Sequence, residues 1–180
     1  MLIRPAAAAD VKGITAIYND AVANTTAIWN ETIVDEADRA AWLAARQGGG
    51  FPVLVAATED TPAGEVLGYA TFGAWRPHDG YRHTVEHSIY VHPRHHRAGI
   101  GGLLLARLIE EARAQGRHAM IAAIEAGNGA SIALHRRFGF VETGRHNEVG
   151  TKFGRWLDLA ILQLMLDDGP PQAPCRRDVP

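Results

Sequence analysis

The stretch SIYVHPRHHRAGIGGLLLARLIEEARAQG, residues 88–116, changes texture twice. The β-branched run SIYV reads as the end of a strand. A basic segment follows, with His92, His95 and His96 beside Arg94 and Arg97. Gly99, Gly101 and Gly102 then open a helix predicted over residues 100–114, and Gly116 stops it. That helix is expected to bury Leu103, Leu104, Leu108, Ile109 and Ala112. The next run, AMIAAIEAG at 119–127, is apolar throughout, as in a strand buried on both faces. Strand, glycine turn, helix and strand in that order imply a parallel pair joined by a right-handed crossover.

The segments on either side read differently. LIRPA is a short first strand, and Asp10 reads as the N-cap of a helix carrying Val11, Ile14, Ile17, Tyr18 and Val22. Residues 23–35 have no clean period and read as a loop with some extended structure. Asp35 caps a second helix at 36–47, ended by Gly48, Gly49 and Gly50. FPVLVAAT (51–58) and EVLGYATFGAWR (65–76) form a hairpin across the turn EDTPAG, and TVEHSIYVHP (84–93) is a further strand. NGASIALHRRFGF, 128–140, is a short helix stopped by Gly139. WLDLAILQLML, 156–166, is a last strand, paired with residues around 141–149. The sum is an α+β single domain over residues 1–167, with a mixed, mostly antiparallel sheet flanked by helices. Residues 168–180, rich in proline and charge, read as a flexible tail.

Bulk properties exclude several classes. The 180 residues carry a formal charge of −2, so nothing recommends nucleic acid as a partner. The one cysteine, Cys175, permits no internal disulfide. No run of apolar residues is long enough for a membrane span, and the N-terminus lacks a signal-peptide core. A cytoplasmic protein without membrane contact is the expectation.

A glycine turn entering a helix offers free N–H groups and the positive end of the helix dipole, which suit a phosphate. Such a turn also serves simply to tighten a strand–helix junction. No P-loop pattern is present, and GIGGLL lacks the third glycine of a dinucleotide fingerprint. The histidines have no metal-ligand spacing, and no metal is expected; they read as decoration of a solvated turn.

These residues resemble the acetyl-CoA motif of the GNAT N-acetyltransferase superfamily, [QR]-x-x-G-x-[GA], here His96 to Gly101 with His96 in place of Gln or Arg. The stretches AIYNDAVANTTAIWNE, GYATFGAWRP, TVEHSIYV, SIALHRRFGF and VGTKFGRWLDLAILQLML together resemble the phosphinothricin acetyltransferase-like branch, nearest to the methionine sulfoximine and methionine sulfone acetyltransferases. The resemblance implies the GNAT fold and an acetyl-CoA-dependent N-acetyltransferase acting on small amino acid analogues. It implies a pantetheine arm along Ile89, Tyr90 and Val91, in a gap opened by a local bulge. Pyrophosphate would rest on the amides of Arg97, Ala98, Gly99, Ile100, Gly101 and Gly102, and Asn128 would contact the pantetheine or the thiol end. It implies a homodimer, with the ANTTAIW loop near the partner's cleft.

The chemistry asks for a base, and Glu86 is the first candidate. It sits mid-strand among apolar neighbours, where partial burial raises a carboxyl toward useful basicity; the alternative is a solvent-facing strand residue. The branch resemblance also places its catalytic Glu here, and its assisting His at His135, which otherwise is a packed helix histidine. The acid that protonates the departing thiolate stays open: Tyr90 is one candidate, and the later helix carries Phe138 instead of a tyrosine. For the acceptor, Arg76 suits a carboxylate, with Lys152, Trp29, Trp75, Phe153, Thr25 and Thr26 as further candidates. By resemblance, Arg76, Pro77 and His78, and Glu86, His87 and Ser88, flank it. A different amine acceptor (an aminoglycoside, a polyamine or a protein N-terminus), or an acyl-CoA-binding module without turnover, are the alternatives.

Overall fold

The computed structural model describes residues 1–58 and 65–170. The expected turn EDTPAG and most of the expected tail lie outside the described residues. Eleven principal elements run in chain order: β1 Leu2–Pro5, α1 Val11–Asn24, α2 Glu36–Gly48, β2 Val53–Ala57, β3 Gly68–Ala74, β4 Thr84–Val91, α3 Ile100–Ala114, β5 Ala119–Glu125, α4 Gly129–Arg137, β6 Val141–Lys152 and β7 Arg155–Met165. The strands form one sheet in the order β1-β2-β3-β4-β5-β7-β6. Every neighbouring pair is antiparallel except β4–β5, the pair joined through α3.

Strand alternation sends side chains to two helical layers. Leu54, Ala56, Ala70, Phe72, Val85, Met120 and Ala122 pack against Ile100, Leu104, Leu105, Leu108 and Ala112 of α3 and Ile132 of α4. Val53, Val55 and Tyr69 face α1 and α2, meeting Val11, Ile14, Ile17 and Leu43. β5 is buried along most of its length, as its uninterrupted apolar run requires. In α3 the buried set includes Leu105, while Leu103 is 46% exposed, contrary to expectation. A run of three leucines spans more than one helical stripe, so the first one turns outward.

The N-terminus departs from the simple cap reading. A 3-10 turn, Ala8–Asp10, precedes α1, and Asp10 makes no side-chain cap to that helix. Its carboxylate instead accepts from the Ala7 N–H at 2.8 Å and from both guanidinium tips of Arg4, at 2.7 and 2.8 Å. Asp35 does cap α2, accepting from the Asp38 N–H at 2.8 Å. Residues 25–35 hold no strand. β6 runs on to Lys152, beyond the expected 141–149, while β7 keeps its expected length, and the two are joined by Phe153-Gly154, both at positive φ, as a two-residue type I′ hairpin turn requires.

Burial pushes the Asp10 carboxyl up, but the Arg4 hydrogen bonds, the Ala7 amide and the Arg4 charge together hold it below its ordinary value. Asp10→Asn is therefore expected to cost about 2 kcal/mol in urea unfolding at neutral pH. Because the folded value is lowered, this difference is complete above pH 3.8 and closes as pH falls through the lowered value.

Candidate active site

The site begins where a ladder ends. β4 pairs with β3 along its whole length, from Val85↔Ala74 to Val91↔Gly68, without a register shift. With β5 it pairs only at Thr84↔Ala119, Val85↔Met120 and Glu86↔Ile121. Beyond Glu86 the two parallel strands part. The expected bulge is absent among these pairs; the separation comes from the early end of the parallel ladder. A cleft of about 790 Å³ fills the gap, lined on the strand side by His87–Val91 and Ala122–Glu125.

The β3–β4 register decides which peptide groups face this cleft. Trp75 N–H donates to Thr84 C=O, and His92 N–H donates to Leu67 C=O. The even-numbered residues of β4 thus direct their peptide groups at β3, and the odd-numbered ones, Ile89 and Val91 among them, direct theirs toward β5. Tyr90, expected as a main-chain contact, instead turns its peptide groups to β3. Its ring packs against Tyr69, with centroids 5.3 Å apart.

At the far end of the gap the chain turns sharply into α3. Arg97 and Gly99 both have positive φ, 64° and 79°. Gly99 is the N-cap residue, in the left-handed region that glycine tolerates. Among the described residues, the N–H groups of Arg97, Ala98, Gly99, Ile100 and Gly101 donate to no backbone or side-chain acceptor. Gly102 differs from expectation, since its N–H donates to the Gly99 carbonyl at 3.0 Å. Five free donors at a helix N-terminus make a cradle for an anionic group. Two histidines of the turn hold it in shape and are more than decoration. His92 Nδ1 accepts from the Arg94 N–H at 3.2 Å, and His96 Nε2 donates to the Val91 carbonyl at 2.9 Å. Asn128 caps α4 by accepting from the Ser131 N–H at 3.1 Å, which leaves its amide NH₂ for the cleft it lines.

Side chains of β4 divide between the two faces of the sheet. Val85, Ile89 and Val91 belong to the α3/α4 layer, and His87 with them, while Glu86 and Tyr90 face α1 and α2. The structure therefore does not bring Glu86 and His135 together; they stand on opposite faces. Burial raises the Glu86 carboxyl above its ordinary value, while Arg76 and Arg46 pull it down. Arg46, on α2, gives no sign of itself in the sequence, where it is one more basic residue in a last helical turn. Arg76 is exposed, its guanidinium 4.6 Å from the Trp75 ring centroid, and Pro77 and His78 are exposed beside it.

On the other face His135 meets His87, with rings 5.0 Å apart and Nε2 atoms 3.2 Å apart. His135 Nδ1 lies 2.7 Å from the Ser131 carbonyl, which can only accept. Nδ1 therefore carries the proton, Nε2 of the neutral ring accepts, and His87 must donate from its own Nε2. His87 Nδ1 is then bare, buried, and without a partner among the described residues. Burial, then the nearby His135, lower the His87 pKa to about 3; burial also lowers that of His135, against the Ser131 carbonyl bond.

The remaining candidates scatter. Thr25, Thr26 and Ser88 line the cleft, and Thr26 donates to Glu125 at 3.1 Å. Trp29 packs over Gly150 of β6 and donates to the Thr26 carbonyl, away from the lining. Lys152 is buried, and its ammonium donates to the Ile28 carbonyl, so in this structure it supports the loop after α1. Phe153 is 54% exposed on the hairpin turn. Glu125 and Arg137, which line the cleft, carried no recognisable sequence signal. Among the described residues no group of three His, Cys, Asp or Glu stands ready for a metal, and no helix is long and apolar enough to cross a membrane.

Comparison with known proteins places this geometry in context. A profile described as the acetyltransferase (GNAT) family matches residues 14–140. A Pseudomonas paraeruginosa protein named L-methionine sulfoximine/L-methionine sulfone acetyltransferase is 61% identical, over 92% of this chain and 94% of its own. A phosphinothricin N-acetyltransferase of Alcaligenes faecalis is 37% identical, over 92% of this chain and 82% of its own. The solved structure of an acetyltransferase from Salmonella typhimurium with its cofactor acetyl-CoA superposes with a TM-score of 0.93 at 53% identity, covering 97% of this chain and 99% of that one.

The histidine pair is open to direct measurement. At pH 6.5, the ordinary midpoint for histidine, long-range ¹H–¹⁵N spectra are expected to show both rings neutral, His135 with its proton on Nδ1 and His87 on Nε2. Both folded values are lowered, so the stability this pair contributes is complete above pH 6.5 and is lost as pH falls toward about 3 for His87. His135 protonated on Nε2 at neutral pH would contradict the pairing.

Proposed function

This chain belongs to the GNAT family of acetyltransferases, and from that premise we propose that it moves the acetyl group of acetyl-CoA to the α-amino group of a small amino acid analogue. L-methionine sulfoximine, L-methionine sulfone and phosphinothricin are the acceptors in view. Capping the amine of such a compound is a detoxification reaction, carried out here in the cytoplasm. One observation carries the reading: the β4–β5 ladder stops at Glu86, so a cleft opens in the gap just past this half-buried carboxylate, with five free amides at its far end.

Each end has a distinct job. The free N–H groups of Arg97 to Gly101 receive the pyrophosphate, with the helix dipole behind them. The cleft-facing peptide groups of Ile89 and Val91 pair with the pantetheine arm as a further strand would, and Asn128 offers its amide near the thiol end. A β4 peptide N–H facing the gap is the donor for the thioester oxygen as charge builds there. Glu86, directly or through one water, takes a proton from the acceptor ammonium so that the nitrogen can attack the thioester carbon. The C–N bond forms, the C–S bond breaks, and CoA leaves as a thiolate that takes up a proton. His135 and His87 border the same cleft from the opposite face, where a rigid, neutral pair shapes the wall beside the thioester.

We also propose a homodimer. Val141, Val149, Phe153 and Trp156 stand 54–67% exposed on β6, β7 and their turn, more apolar surface than two strands usually leave in water. Light scattering at micromolar concentration is expected to give twice the chain mass, and Trp156→Glu to shift it toward the monomer. A wild-type monomer would end this part of the reading.

Glu86→Gln is expected to lower kcat/KM by roughly 10²- to 10⁴-fold with L-methionine sulfone, while acetyl-CoA binding measured by calorimetry stays the same. The acid limb of the wild-type pH profile should lie above 4.5 and vanish in the variant. Because the folded carboxyl value is raised, ionised Glu86 costs stability at neutral pH, so the variant should melt no lower than wild type. Normal turnover in a folded Glu86→Gln protein would remove Glu86 from the role of base.

A further inference from the structure

Arg46 stands in the last turn of α2, where a basic residue ordinarily complements the helix dipole. The structure sends it across to the sheet. Its Nη1 lies 1.6 Å from where a Cβ on Gly73 would stand, and its Cζ 2.8 Å. The guanidinium therefore occupies the space that any other residue at position 73 would fill. Gly73 is the direct cross-strand partner of Glu86. Directly opposed residues of an antiparallel pair share a face, with Cβ positions about 5 Å apart. Glu86 and the Arg46 fork are thus neighbours on the α1/α2 face of the sheet.

They are neighbours without being partners. No ion pair within 4.0 Å is formed by Arg46 among the described residues, and its guanidinium donates to no protein acceptor there. A half-buried guanidinium presents five donors in a fixed fork matched to a carboxylate. Arg76, the other cation near Glu86, is exposed and lies over Trp75, where solvent screens its pull. An α-amino acid holds its nitrogen and its carboxylate carbon about 2.5 Å apart across one Cα, given ordinary bond lengths. One molecule can therefore meet Glu86 with its amine and Arg46 with its carboxylate.

We propose that Arg46, admitted to the sheet face by the missing Cβ of Gly73, binds the acceptor's α-carboxylate and so selects amino acids over amines that lack one. The inference rests on the acceptor class proposed above and adds the residue that reads it. It also relieves a conflict within the site. A bare guanidinium beside Glu86 weakens that group as a base, and a substrate carboxylate seated on the fork offsets the positive charge. Binding of the correct acceptor thus restores basicity to the group that must deprotonate it.

The test compares L-methionine sulfone with its carboxamide, in wild type, Arg46→Ala and Gly73→Ala, after thermal melts show each protein folded. Wild type should strongly favour the carboxylate. Arg46→Ala should raise KM for the sulfone about 30-fold, the scale of a charge-assisted pair. KM for acetyl-CoA should stay within about threefold of wild type, a smaller change than one hydrogen bond makes, and turnover of the carboxamide should not fall, because loss of the bare guanidinium strengthens Glu86 as a base. Gly73→Ala should reproduce this pattern, because its methyl takes the guanidinium's place. Equal losses on sulfone and carboxamide, or unchanged selectivity in Arg46→Ala, would overturn the assignment. A wild type that acetylates both compounds alike overturns Arg46 as the reader while leaving the acetyltransferase reading intact. A wild type that acetylates neither overturns the acceptor class, and the assignment with it.

Discussion

The parallel ladder between β4 and β5 lasts three residue pairs and then stops. Everything chemical in the molecule depends on that early end. Main-chain groups on a buried strand must find partners, since an orphaned one costs about as much as a lost hydrogen bond. β4 meets this on one side with a full antiparallel ladder to β3. On the other side, beyond Glu86, its peptide groups have an open gap. A strand edge inside a fold is a template for an extended ligand. The five amides of the turn into α3 continue the same row of donors around a corner, so an elongated molecule with an anionic end meets matching groups along its length.

The alternation of β4 makes one strand serve two different environments. Glu86 goes to the face shared with α1 and α2, where burial raises its carboxyl and two arginines restrain the rise. His87, the next residue, goes to the opposite face and is buried against His135 and Phe140. A carboxylate close to water and cations stays available for proton transfer. A histidine buried among rings is kept neutral, because charging it would forfeit hydration with nothing to replace it. The 180° period of a strand is enough to separate these two roles by one residue.

The helices supply what the strands cannot. α3 contributes its N-terminus, and its apolar stripe of Ile100, Leu104, Leu105 and Leu108 fixes the angle of that terminus against the sheet. α4 contributes Asn128 at its cap and His135 in its last turn, linked through Ser131, whose N–H donates to Asn128 and whose carbonyl accepts from His135. α2 contributes Arg46, whose approach depends on the absence of a side chain at Gly73. Glycine serves two ends here: Gly99 takes the left-handed conformation of the turn into α3, and Gly73 leaves room for Arg46.

Much of this was legible in the residues alone. Apolar periodicity, the glycines at 99 and 116, and the cap at Asp35 act over a few residues, so local sequence determined the order and kind of the elements and the glycine turn into α3. The motifs at 96–101 and 84–91 determined the family and pointed to Glu86. Other features are set by contacts between segments far apart in the chain, and only the tertiary structure decided them. Asp10 reads as a helix cap until Arg4 is seen to bind it, Leu103 as core until the helix is rotated against the sheet, and Lys152 as a ligand group until Ile28 takes its ammonium. The separation of Glu86 from His135, the pairing of His135 with His87, and the placing of Arg46 over Gly73 join positions 27 to 49 residues apart or lie across a sheet. No period or propensity encodes such meetings, because a side chain's partners depend on which face the packed sheet turns toward which helix.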